Sequence, residues 1–141
     1  MGQLARFVRL DRDQRKLLAA AAALVAGFRL AICVLPFRVV RGWVQRLSVE
    51  RSSTNRDAEM IGRAVEAAAR RVPFSNCLSN ALAGQILMSR SGVDSEIRIG
   101  VARETDGRVT GHAWVECDGR GVIGASDLDR FERASGEGRV V

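Results

Sequence analysis

The chain predicts an α+β fold, in which helices pack on one side of a small antiparallel sheet. Three observations lead there. From residue 11 to Gly92, apolar residues recur at three-and-four spacing, the period of helices buried on one face. Beyond Gly92 the period falls to two, and strand-like runs alternate with Asp-Gly turns. The chain has 141 residues, 47% of them hydrophobic, enough for one domain with its own core and too apolar for wholesale disorder.

The elements follow in order. Residues 11–34 read as a helix that Asp11 or Asp13 can cap, with Leu17, Leu18, Leu24, Val25, Phe28 and Ile32 on its apolar faces. The run Leu17–Leu35 is long enough for a membrane span. It is rich in Ala, however, Arg29 would lie inside the bilayer, and the cleavage-site setting of a secretory signal is lacking. A packed or surface-lying helix, with peripheral membrane contact as the alternative, is the expectation. Pro36 breaks the pattern. A second helix, 37–47, carries Phe37, Val40, Val44 and Leu47 on one face, with Arg38, Arg41 and Arg46 around it.

The polar stretch Ser48–Asp57 reads as a linker and N-cap cluster. Helix 56–72 follows, with Ile61, Ala64, Val65, Ala68 and Val72 inward, and Pro73 ends it. Ser75 or Asn76 caps helix 77–90, whose inner face reads Leu78, Ala81, Leu82, Ile86 and Leu87, and Gly92 stops it. Strands at 96–101, 112–117 and 121–126 are joined by turns at Asp106-Gly107 and Asp118-Gly119. This divides the chain into a basic helical segment (1–51), a core (52–134) and a loose Gly-rich tail (135–141).

Charge is unevenly placed. Residues 1–51 hold ten basic and three acidic residues, a balance of +7, whereas residues 52–141 balance at −1. Such a segment suits an anionic lipid surface, an acidic peptide or nucleic acid. With 5% aromatics and no stacking platform or recognition helix, nucleic acid is not expected as a partner. Three widely spaced cysteines, Cys33, Cys77 and Cys117, suit neither a disulfide framework nor a zinc site, and no metal or cofactor is expected. They indicate a reducing, cytoplasmic setting.

The chemistry centres on Cys77 and His112. At a helix start, unpaired N–H groups and the positive dipole end stabilise a thiolate, which is the nucleophilic form. Cys33 lies within an apolar run, where burial would disfavour ionisation. Cys117 shares a strand face with Ala113 and Val115, away from His112, Trp114 and Glu116. His112 is the only histidine and so the only imidazole base available. Trp114 can equally be a large core side chain.

If Asp118-Gly119 is a two-residue hairpin loop, residues whose numbers sum to 237 face one another. Residues 123, 125 and 127 then share the His112 face, and Asp127 is placed to orient the ring; a one-residue bulge would reverse this parity. Asp129 is the rival third member. Asp118 belongs to the turn, and Glu116 sits towards the rim. The Cys77 N–H is the natural oxyanion donor, with Asn76 or Asn80 as nearest side-chain support and Gln85 too far along the helix.

The stretches C-L-S-N-A-L-A-G-Q-I-L-M-S-R-S-G-V-D-S-E-I-R-I-G-V and G-H-A-W-V-E-C-D-G-R resemble the transglutaminase-like leader peptidases of lasso-peptide biosynthesis. The resemblance is to the C-terminal part of that pathway's B protein, in its stand-alone form, and is strongest over residues 74–131. It implies a papain-like Cys-His-Asp endopeptidase with Cys77 as nucleophile, His112 as base and Asp127 as the acid. The implied substrate is a ribosomally made precursor peptide, cut at its leader so that a separate ATP-dependent cyclase can close the ring. The implied partner is a separate winged-helix-like leader-recognition protein, because the segment before Cys77 lacks the strands of such a module.

Overall fold

A computed structural model describes residues 11–47 and 58–126, together with Leu128 and Phe131. The expected linker at Ser48–Asp57, the tail Ser135–Val141, Asp127 and Asp129 lie outside the described residues.

Helix α1 spans Arg12–Val34 and is capped by Asp11, whose carboxylate accepts the Arg12 N–H at 2.8 Å. After Pro36, α2 spans Phe37–Leu47 and turns Val40 and Val44 inward. Helix α3 spans Ala58–Ala69, three residues shorter than its expected end. There the chain tightens, with the Arg71 and Val72 N–H groups both donating to Ala68 O, before Pro73 can intervene. Helix α4 spans Cys77–Arg90 and starts with a reciprocal cap: Asn76 Oδ1 accepts from Ser79 N–H, and Ser79 Oγ accepts from Asn76 N–H. It stops at Ser91 and Gly92, the latter at φ 72°.

Strands β1 (Glu96–Arg103), β2 (Val109–Cys117) and β3 (Arg120–Ile123) form an antiparallel meander in that order. Residues Asp118 (φ 50°) and Gly119 (φ 75°) make the tight turn that matches the twist of the β2–β3 hairpin. The architecture is α+β, with helices on one side of the sheet, as the change of period predicts.

Helix α4 is the centre of the core. Ser79, Ala81, Leu82, Ala83, Gly84, Ile86, Leu87 and Met88 are all buried, more than the single inner face expected, and Leu78 is only half-buried. The cause is position: α4 lies between α1 and α3 on one side and β2 on the other. Leu17, Val25 and Phe28 of α1 belong to the same core as Ile61 and Val65 of α3, and Ile97, Ala113, Val115 and Ile123 of the sheet. The other sheet face carries a smaller cluster of Ala102, Trp114 and Phe131, with Leu128 against it.

Close approach depends on two glycines. A Cβ on Gly62 would lie 2.6 Å from the Val122 carbonyl oxygen, and one on Gly84 would overlap Ile123 Cδ1. The first obstacle is backbone and cannot step aside. Gly62→Ala is therefore expected to destabilise the domain by about 1–3 kcal/mol. Gly27→Ala, at an open site on α1, should stabilise it by about 0.5 kcal/mol. Urea titrations of the two variants beside the parent chain measure both signs.

Candidate active site

The three cysteines occupy three environments. Cys117 is buried, its Sγ 3.5 Å from Met88 Sδ, and burial, with Asp118 and Asp94 adding negative charge, pushes its thiol pKa up. It is an inert core thiol. Cys33 is exposed, contrary to the expectation of burial. Leu30, Cys33 and Val34 lie on the outer face of α1, whereas Phe28, Ala31 and Ile32 turn towards the core, and Arg29 donates to Cys33 Sγ at 3.1 Å. Cys77 is half-buried at the first residue of α4. The cap takes up the Ser79 N–H, and the Cys77 and Leu78 N–H groups are those a helix start leaves outside its own ladder.

His112 lies in the middle of β2, half-buried, with its ring stacked on Phe131 at 4.8 Å and Trp114 at 6.0 Å between centroids. Its Nε2 is 2.6 Å from the Gly124 carbonyl oxygen. A carbonyl only accepts, so Nε2 carries the proton and the neutral ring keeps its lone pair at Nδ1. Gly124 sits at φ 67°, and a Cβ there would meet Ala113 O at 3.1 Å and His112 Nε2 at 3.6 Å. Glycine is thus what lets the chain turn its carbonyl onto the imidazole.

Packing brings Cys77 and His112 to the same end of the fold. Helix α4 and strand β2 run in the same direction, with Met88 against Cys117 and Gly84 against Val115. Eleven helical residues back from Met88, at about 1.5 Å each, reach Cys77; five strand residues back from Cys117, at about 3.3 Å each, reach His112. Both paths are roughly 16 Å, so Cys77 and His112 lie a similar number of ångströms along their own elements from the Met88–Cys117 contact. Across the layers they differ: α4 covers the face of Ala113, Val115 and Cys117, and strand parity sends His112 to the other. No hydrogen bond joins Cys77 to His112, whose described polar partner is Gly124.

The hairpin register needs correction. Cys117 pairs with Arg120 and Glu116 with Gly121, both summing to 237, but Val115 pairs with Ile123. Val122 is an extra residue, and this bulge reverses the parity beyond it, so Ile123 turns towards α4 instead of sharing the His112 face. The strand also ends at Ile123, short of Ser126. The register argument for Asp127 therefore fails, and Asp127 and Asp129 themselves lie outside the described residues. Glu116 is already held, accepting from Trp114 Nε1 at 2.8 Å and from Arg98 Nε at 3.1 Å.

Of the two candidate oxyanion amides, Asn76 spends its oxygen on the helix cap. Asn80, one turn along from Cys77, has a buried Oδ1 with no hydrogen-bond partner among the described residues. An unpaired buried oxygen costs about 1–3 kcal/mol, and as an acceptor it cannot itself hold an oxyanion, a role open only to the Nδ2 hydrogens of this amide. A polar cavity lined by Asp94, Glu96, Arg98 and Asp118 lies at the Cys117 end of the sheet, away from Cys77. The Gly124 carbonyl and the Phe131 ring are site features the sequence reading missed. The one available signal was a glycine directly after the third apolar strand.

Helices packed on one side of an antiparallel meander, with one cysteine at a helix start and one histidine on a strand, make this an α+β domain of transglutaminase-like architecture. The chain belongs to the transglutaminase-like superfamily, whose family model matches residues 22–135, from within α1 to beyond Phe131. That superfamily includes cysteine proteases and acyltransferases built on this fold. Neither a curated protein nor a solved structure matches the chain.

These environments predict reactivity and pH dependence. Iodoacetamide should alkylate Cys33 and Cys77 in the native protein and leave Cys117 untouched until denaturant is added, as peptide mass mapping would show. Because the folded state raises the Cys117 pKa, it holds that proton more tightly than the unfolded chain does. The associated stability is present below a free thiol's ordinary pKa of about 8.5 and is lost as pH rises through the folded value. Denaturation midpoints between neutral pH and pH values above about 9 should fall, and Cys117→Ala should flatten that slope.

Proposed function

We propose that this protein is a cysteine endopeptidase that removes the leader from a lasso-peptide precursor, working with a separate leader-recognition protein. The observation that carries the proposal is the 2.6 Å contact between Nε2 of the sole imidazole and Gly124 O. With Nε2–H donated to that carbonyl, Nδ1 is left as the acceptor nitrogen of the neutral ring, in a fold that also presents a thiol at the start of a capped helix. Membership of the transglutaminase-like superfamily supports thioester chemistry at such a pair. The resemblance of the stretches around Cys77 and His112 to lasso leader peptidases supplies the substrate class.

The reaction follows from these residues. His112 Nδ1 takes the Cys77 proton, and the thiolate attacks the scissile carbonyl of the leader. The oxyanion gathers at the open N–H groups of the α4 start. The imidazolium returns its proton to the departing amine, the C–N bond breaks, and a thioester remains on Cys77. Water, deprotonated by His112, then hydrolyses the thioester and regenerates the thiol. Asp127, with Asp129 as rival, is the proposed acid that stabilises the imidazolium.

The surroundings suit a shared cleft. Phe74, three residues before Cys77, is 84% exposed at φ 60°, and Val101 and Val109 at the His112 end of the sheet are exposed as well. Exposed apolar side chains close in sequence to Cys77 and at the His112 end of the sheet suit a substrate or a presenting protein that covers them. Contact there is proposed to bring the imidazole and the thiol into proton-transfer reach, so the chain alone should turn over slowly.

The decisive assay incubates the chain with its cognate precursor, with and without the recognition protein, and weighs the products. Wild type should release the leader and the core peptide, with turnover at least about ten-fold higher when the partner is present. Cys77→Ala and His112→Ala should each lower it by a factor on the order of 10³ or more. Of Asp127→Asn and Asp129→Asn, the larger loss identifies the acid. An isopeptide adduct in place of a shortened peptide would assign the chain to acyl transfer, and full activity in Cys77→Ala would overturn the proposal.

A further inference from the structure

We infer that the outer face of α1 and the adjoining flank of α2 form a binding surface for an anionic lipid bilayer, independent of the reaction at Cys77. The inner stripe of α1, from Leu17 to Phe28, is consumed by the core. Its opposite face is apolar too. Ala19, Ala23 and Gly27 are open to solvent, Leu30 is 69% exposed and Val34 78% exposed. A helix that is hydrophobic all round needs an apolar environment on both sides, and the fold supplies only one. Helix α1 is long and apolar enough to cross a membrane, but withdrawing it would strip Leu17, Leu18, Ala21, Val25 and Phe28 from the core. It therefore lies along the surface rather than across it.

Helix α2 adds the features of an interfacial segment. Val39 and Trp43, four residues apart, are 40% and 45% exposed, whereas Val40 and Val44 turn inward. Exposed Arg38 and Arg46 sit beside them and form no ion pair with a described carboxylate, and Arg12 and Lys16 stand at the outer start of α1. Tryptophan with aliphatics, rimmed by cations, matches the apolar boundary and the negative headgroups of an anionic leaflet. Charge also decides against a second copy of this chain, because pairing the same face twice would bring two arginine rims together.

Vesicle flotation tests this directly, using phosphatidylcholine alone and with roughly one third phosphatidylglycerol. The wild type should float with the anionic vesicles, bind neutral ones at least about ten-fold more weakly, and be released by added salt. Trp114 is buried, so a vesicle-induced blue shift of fluorescence reports Trp43. Leu30→Glu with Val34→Glu should lower binding by about ten-fold or more with the denaturation midpoint retained. Arg38→Glu with Arg46→Glu is the second arm, should the first pair disturb folding. Absence of flotation, binding unchanged by both pairs, or a lipid-free dimer dispersed by Leu30→Glu would each overturn the inference.

Discussion

The fold depends on how closely α4 can lie on the sheet. Ile123 and Val115 occupy the space above Gly84, where a side chain on the helix would otherwise stand. This contact and the Met88–Cys117 contact fix both the separation and the register of helix and strand. Register matters more than separation here. A rise of about 1.5 Å per residue on the helix and about 3.3 Å on the strand makes eleven residues of one equal to five of the other. Cys77 and the only imidazole thus lie at equal path lengths from the Met88–Cys117 contact, each along its own element. On the same side of the sheet, Gly62 lets α3 approach the Val122 carbonyl, so the bulged residue is also where α3 touches the hairpin.

The bulge connects architecture to chemistry. An extra residue at Val122 turns Ile123 into the helix-facing core and ends β3 there. The next residue, Gly124, takes a positive φ and aims its carbonyl at His112. Without the bulge, the chain would continue in register and the carbonyl at that position would belong to a ladder. The imidazole is thus oriented by backbone, with Phe131 and Trp114 limiting its rotation on either side. Because a carbonyl can only accept, this contact makes Nε2 the donor nitrogen of the neutral ring, and its geometry follows from the strand.

Much of this was legible in the chain. The change of period at Gly92, the Asn76 cap, both Asp-Gly turns and the parity that removes Cys117 from the His112 face follow from local rules, and the structure bears them out. What local rules could not supply was context. The burial of α4 on nearly all sides results from being covered by two layers, which its own periodicity does not show. Cys33 has apolar neighbours in sequence but lies on the outer face of α1 with Leu30 and Val34, while Ala31, Ile32 and Leu35 pack on the core. The bulge has no side-chain signature, since Gly121-Val122-Ile123 reads equally well as an unbroken strand, and the placement of Asp127 was built on that reading.

The division of charge separates two problems that the sequence places in one chain. The basic excess lies in residues 1–51, whereas Cys77 and His112 sit in a part that is nearly neutral. A cationic surface at the site would have stabilised a thiolate directly, and the helix start would then have been incidental. Under the proposed chemistry, with the arginines of α2 on a separate helix, support for a thiolate at Cys77 would come from the dipole and N–H groups of the α4 start. Such support acts within about one turn, which leaves the outer faces of α1 and α2 free to be selected for what they touch rather than for the reaction.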